Sequence, residues 1–138
     1  MKLEKNCNID PTARISEFTN LYGCEIKENV FVGPFVEIQS NVTIGARSRV
    51  SSHSFICSGV SIGEDCFIAH GVMFTNDKFT EGREKWLERG TQIGNRVRIG
   101  SNATILPVII GDDVIIGAGA VVTKNIPSGT TVKGNPAK

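Results

Sequence analysis

The sequence has no long apolar run. The opening MKLEKNCNID lacks the hydrophobic centre of a secretory signal, and no stretch approaches the roughly 20 apolar residues of a membrane-spanning helix. The expectation is a cytoplasmic protein with no membrane partner. Charge imbalance is missing too: Lys and Arg number 15 against 14 Asp and Glu, a formal net charge of +1. No overall field therefore draws the chain to nucleic acid or to an anionic surface. Histidine is scarce, with two in the chain, and the four cysteines form no CxxC pair. The scattered spacing of Cys7, Cys24, Cys57 and Cys66 speaks against a zinc cluster, and predicts reduced thiols and no metal. At 138 residues the chain suits one domain, 1–138, and is too short for two ordinary ones.

What is present is a repeat, and repeats are read before local structure. Counting in sixes from Ile26 meets Val32, Ile38, Ile44, Val50, Ile56, Ile62, Ile68 and Phe74, apolar at every step. The fifth place of each hexad is compact: Val30, Val36, Val42, Ser48, Ser54, Val60, Cys66 and Val72. The period returns at Ile93, Ile99 and Ile105, slips by one residue at Leu106-Pro107-Val108, and continues through Ile110, Ile116 and Val122. Upstream, Ile9, Ile15 and Leu21 keep the period one residue out of step. Six matches neither the 3.6 residues of a helix nor the 2 of a single strand. It predicts short strands joined by turns, three to a coil, with coils stacked about 4.8 Å apart by parallel hydrogen bonds. The fold class is thus all-β, a parallel β-helix of about six coils. Gly33, Gly45 and Gly63, with Asn29, Asn41, Asp65, Asn95, Asn102, Asp112 and Asp113, are expected to supply the turns.

One interruption breaks the ladder. After Phe74 the next core residue is due at position 80, yet the period resumes at Ile93. The extruded loop, at about 75–92, reads TNDKFTEGREKWLERGTQ and holds eight charged residues and the only Trp of the chain. Long loops on compact repeat scaffolds tend to carry function. Arg83 is a candidate contact for substrate phosphates, or else one member of a solvated, salt-bridged loop with Glu81, Glu84 and Glu88. His70, Asn76 and Asp77 lie within eight residues at its root. Position 53 should stack over position 71, so His53 and His70 can be neighbours, within one chain or across a groove between subunits.

The repeat, and above all IGDDVIIGAGAVVTKNIPSGTTVKGNPAK from Ile110 to the end, resembles the bacterial hexapeptide acyltransferases. The resemblance implies a left-handed helix, against the usual right-handed rule for parallel crossovers. It also implies a homotrimer with acetyl-CoA, and no metal, in grooves between neighbouring prisms. CoA contacts are then expected at Gly100, Ser101, Ala118, Gly119, Lys124 and Lys133. The run SHSFICSGVSIGEDCFIAHGVMFTND is similar to N-acetyltransferases of nucleotide-linked amino sugars, which make surface-polysaccharide and lipopolysaccharide precursors. That likeness puts Asn76 beside the acceptor amine, with Asp77 next to it and His70 as a candidate general base. His53 and Arg83 complete the expected substrate contacts. Two other readings stay open: an O-acetyltransferase, which needs a base at His70 or His53 to activate a hydroxyl, and a non-catalytic β-helix scaffold. The zinc carbonic anhydrases of this fold need three histidine ligands, and this chain has two.

Overall fold

Each hexad makes one strand of two or three residues, because the aliphatic residue at its end points inward and the turn that follows redirects the chain. In the computed structural model, which describes residues 1–78 and 90–138, these strands wind into three parallel sheets, the faces of a left-handed β-helix. The first face holds β1 (Leu3–Lys5), β4 (Asn20–Tyr22), β7 (Glu37–Ile38), β10 (Phe55–Ile56), β13 (Met73–Phe74), β16 (Thr104–Ile105) and β19 (Val121–Val122). The second holds β2 (Asn8–Ile9), β5 (Glu25–Ile26), β8 (Thr43–Ile44), β11 (Val60–Ile62), β14 (Thr91–Ile93) and β17 (Ile109–Ile110). The third holds β3 (Arg14–Ile15), β6 (Phe31–Val32), β9 (Arg49–Val50), β12 (Phe67–Ile68), β15 (Arg98–Ile99), β18 (Ile115–Ile116) and β20 (Thr131–Val132). With seven, six and seven strands, and a bridge from Ile110 to Ile126, the helix makes about seven turns. The hexad count gives about six; Leu3–Lys5 and Thr131–Val132 stack as well, although they lie beyond the clearest part of the repeat.

The interior is one column. Ile26, Ile44, Ile62, Ile93 and Ile110 stack on the second face, and Leu21, Ile38, Ile56, Phe74, Ile105 and Val122 on the first, all buried. Val30, Val36, Val42, Val60, Cys66 and Val72 fill the corners beside them. Ser48 and Ser54 occupy the same inward places. Each stays satisfied by bridging to the next turn: Ser48 Oγ donates to the Gly63 carbonyl (2.8 Å), and Ser54 Oγ to that of Ala69 (2.9 Å). A buried hydroxyl with such a partner costs little.

The three edges differ. On the edges between the second and third faces, and between the third and first, inward residues are always six apart, as in Ile26, Val32, Ile38 or Ile110, Ile116, Val122. Every irregularity falls on the edge joining the first face to the second. There the step is five from Leu21 to Ile26 and from Ile105 to Ile110, four from Val122 to Ile126, and nineteen from Phe74 to Ile93. That is the loop edge.

The turns follow the expectation for Asn and Asp but not for Gly. Asn29, Asn41, Asp65, Asn102 and Asp113 do adopt positive φ, but so do Phe18, Phe35, Arg47, His53 and Arg96. Gly33, Gly45 and Gly63 do not; they are required by close approach instead. A Cβ on Gly45 would sit 2.4 Å from the carbonyl carbon and oxygen of Gly63 on the next turn. Asn95 and Asp112 likewise stay out of the left-handed region and act through their side chains. Asn95 Oδ1 accepts from the Glu64 amide (2.9 Å), and Asp112 Oδ1 from that of Asn95 (2.7 Å).

Candidate active site

Residues at the loop root leave the first face at β13. Thr75, Asn76 and Asp77 are half-buried and, with Gln39, Phe55, Cys57, Ser58 and Phe74, line a cavity of about 430 Å³. Asn76 stands one turn above Ser58. Its Nδ2 donates to Ser58 Oγ (3.0 Å) and to the Ser58 carbonyl (3.2 Å). A carbonyl can only accept, so the amide nitrogen must face Ser58, and Oδ1 is turned the other way. Among the described residues nothing donates to Oδ1. The arrangement offers one fixed hydrogen-bond acceptor on the rim of an otherwise largely apolar cavity.

His70 lies elsewhere. It is exposed on the edge joining the third face to the first, with Nδ1 2.9 Å from Ser52 Oγ and its carbonyl accepting from the Asn102 amide (2.9 Å). Six residues at about 3.3 Å each separate it from Asn76, roughly 15–20 Å across the first face. One chain therefore does not bring His70 to Asn76. His53 occupies the same edge one turn below, stacked on Phe35 at 5.0 Å, and Phe35 stacks on Phe18 at 5.5 Å. Arg83 lies outside the described residues.

The residues expected to hold CoA divide between two edges. Gly100, Ser101, Ala118 and Gly119 follow β15 and β18 on the His70 edge, and the exposed Lys133 follows β20 there. Lys124 follows β19 on the loop edge. Gly119 has φ +72 and open space where a side chain would stand, so its backbone is approachable. Gly100 is different: a Cβ there would meet the Ala118 amide nitrogen at 2.4 Å, and stacking alone accounts for it. Gly119 and Lys133 thus place an approachable backbone and a cation on one edge, Lys124 stands across the first face from them, and Gly100 needs no ligand to explain it.

Sequence reasoning passed over Ser58 and Gln39. The signal was present, since 76 lies eighteen residues after 58, one full turn of the helix. Charge on the edge between the second and third faces has a structural use. Arg47 Nε meets Asp65 Oδ1 at 2.8 Å and Arg96 Nε meets Asp113 Oδ1 at 2.7 Å, pairs that hold both carboxyls below the usual aspartate range through hydrogen bonding.

Coils of six-residue steps, stacked in parallel with one loop and a polar root, define a hexapeptide-repeat β-helix protein. The family described as bacterial transferase hexapeptide (six repeats) matches residues 23–58, and the hexapeptide repeat of succinyl-transferase matches 90–124. The chain thus carries hexapeptide repeats similar to those of bacterial transferases. A serine acetyltransferase of Helicobacter pylori is 48% identical over 52 residues, covering 37% of this chain and 30% of the relative. The crystal structure of a hexapeptide transferase family protein from Anaplasma phagocytophilum shares the fold, with TM-score 0.83 at 17% identity, over 99% of this chain and 80% of the other. Perosamine N-acetyltransferase from Caulobacter crescentus, in complex with CoA and GDP-perosamine, aligns with TM-score 0.61 at 26% identity, over 99% of this chain and 56% of the other. The chain spans less than a third of the length of the curated relatives it matches first.

Proposed function

We propose that the chain transfers an acetyl group from acetyl-CoA to the amine of a nucleotide-linked amino sugar, as a cytoplasmic homotrimer whose 138 residues act as one β-helix domain. Substrates of the type UDP-2-acetamido-3-amino-2,3-dideoxyglucuronate, precursors of surface polysaccharide, fit this reading. The observation that carries it is the outward-turned Oδ1 of Asn76 at the rim of the loop-root cavity. Acetyl-CoA, when bound, supplies an activated thioester carbonyl. Asn76 Oδ1 takes a hydrogen bond from the attacking amine and aims its lone pair. The N–C bond forms as the C–S bond breaks, and the proton lost from nitrogen leaves with the thiol. An amine of pKa about 8 is partly neutral at pH 7, so a protein base is helpful rather than obligatory.

Asn76 and all the CoA-binding candidates but Lys124 lie on opposite edges of the first face. A groove between two prisms would join the loop edge of one copy to the His70 edge of the next, which supports the trimeric reading. A hydroxyl acceptor is the second reading. It draws on the Ser52–His70 contact, which leaves Nε2 of His70 outward as a base. The deciding assay is release of free thiol from acetyl-CoA with a panel of UDP-, dTDP- and GDP-linked amino sugars and their hydroxyl counterparts. Turnover is expected with amines. Turnover confined to hydroxyl acceptors would transfer the assignment to O-acetylation, and failure to bind acetyl-CoA at all would remove the transferase reading.

A further inference from the structure

Asn76 does not hold its orientation alone. Below it, the Ser58 amide donates to Gln39 Oε1 (3.1 Å), Gln39 Nε2 donates to Glu37 Oε2 (3.0 Å), and Asn20 Nδ2 donates to Glu37 Oε1 (3.2 Å). Together with the bonds from Asn76 to Ser58, these form a continuous run down four turns of the helix, from Asn76 to Asn20. Every member is half-buried. The polarity of the run is fixed at both ends. A backbone amide can only donate, so Gln39 must turn Oε1 to Ser58 and Nε2 to Glu37; an ionised carboxylate only accepts, which demands the same. Gln39 cannot flip without losing bonds on both sides, and Asn76 cannot flip without losing both of its bonds to Ser58.

We infer that Ser58, Gln39 and Glu37 are positioning residues, which lock the Asn76 amide with Oδ1 toward the acceptor. The inference rests on the reading of Asn76 as the acceptor-binding group. It adds a reason why a half-buried asparagine beside an extruded loop holds one orientation: its amide is anchored through Ser58 to a carboxylate two turns away. Gln39 serves because its one side chain accepts from Ser58 and donates to Glu37. Glu37 serves because its charge permits one hydrogen-bond direction only. A pre-set acceptor spares the reorientation that an unrestrained amide would need at each turnover.

The test exchanges polarity along the run. In Gln39→Glu the new carboxylate still accepts from Ser58 but faces Glu37 with no donor between them. In the double variant Glu37→Gln, Gln39→Glu a donor is restored, now contributed by position 37. Two measurements are made on full-length protein with matched melting curves. The first follows the side-chain NH2 signals of Asn76 by NMR in the absence of any substrate, assigned by their loss in Asn76→Ala. They are expected to shift and lose exchange protection in Gln39→Glu and Ser58→Ala, and to return in the double variant. The second follows acetyl transfer to the best amino sugar of the panel. Here kcat is expected to fall about 10- to 100-fold in Gln39→Glu, with KM for acetyl-CoA unchanged, and to recover in the double variant. Unaltered NH2 signals in Gln39→Glu would overturn the inference whatever the activity. Altered signals with an unchanged kcat would overturn it as well, since orientation would then not matter. If no amino sugar turns over, the functional reading fails by itself, and the NMR measurement still decides whether the run fixes the amide.

Discussion

Asn76 and His70 were named together in the sequence because they are six residues apart, yet the structure puts them on different edges of the prism. Their variants should therefore behave differently. Asn76→Ala is expected to lower kcat/KM by about 10- to 100-fold, the 1.5–3 kcal/mol typical of one well-placed polar contact, with acetyl-CoA affinity nearly unchanged. His70→Ala should be mild if the amine loses its proton unaided. A larger loss in His70→Ala than in Asn76→Ala, with disappearance of the acid limb of the pH–rate profile, would make His70 the base. Asn76 was legible because it roots the loop. Ser58 and Gln39 were not, because nothing in their own neighbourhood marks them; their use appears only when successive turns are laid over one another. The thiols were read as reduced, and Cys24 illustrates their setting. It lies 3.5 Å from the Cys7 sulfur, with its pKa pushed up to about 12 by burial first and by that contact second.

Among the elements, the aliphatic ladder was fully legible, since a period of six with a compact fifth place leaves few ways to bury both. The turns were less so. Residues at positive φ were expected to be Asn, Asp and Gly, yet Phe18, Phe35 and His53 share that conformation and stack on one another. Ring stacking offsets part of a backbone cost that single-residue preferences count against these residues. On the third face Phe31 lies between Arg14 (5.2 Å) and Arg49 (4.3 Å), a cation–π sandwich that no hexad rule foretells. Glycines separate into two kinds, and the difference can be measured. At Gly45 an added methyl meets backbone 2.4 Å away, whereas at Gly129 it meets nothing and the only obstacle is φ +76. Gly45→Ala should thus cost about 3 kcal/mol, the upper end for overpacking, and Gly129→Ala about 1–2 kcal/mol. Equal losses in melting temperature would mean that neighbouring turns can part more easily than their spacing suggests.

For the whole molecule, the exposed apolar residues Leu3, Phe18, Phe35 and Met73 lie on the first face and on the His70 edge, while Phe67 and Ile115 lie on the third face and Ile109 on the second. A neighbouring prism would cover the first four. Light scattering should give about three times the 14.9 kDa of one chain, and Phe35→Glu should reduce that mass. A wild-type monomer at micromolar concentration would leave Asn76 without the CoA-binding edge proposed to face it. The general shape was legible from the repeat alone, and the number of turns nearly so; hand and assembly were matters of resemblance. The uneven edge has a wider consequence. Two edges hold a constant step from one end to the other and act as a spine, while the third absorbs every gain or loss of length without disturbing the register of the other two. It works as an expansion joint. Chain length can change there, and with it the walls of a binding pocket, while the column of isoleucines beneath remains as it was. Specificity can therefore drift among proteins of this kind at little cost to folding, and gaps between their sequences should gather at positions equivalent to 6, 23, 41, 59, 76–90, 107 and 124 far more than anywhere else along the chain.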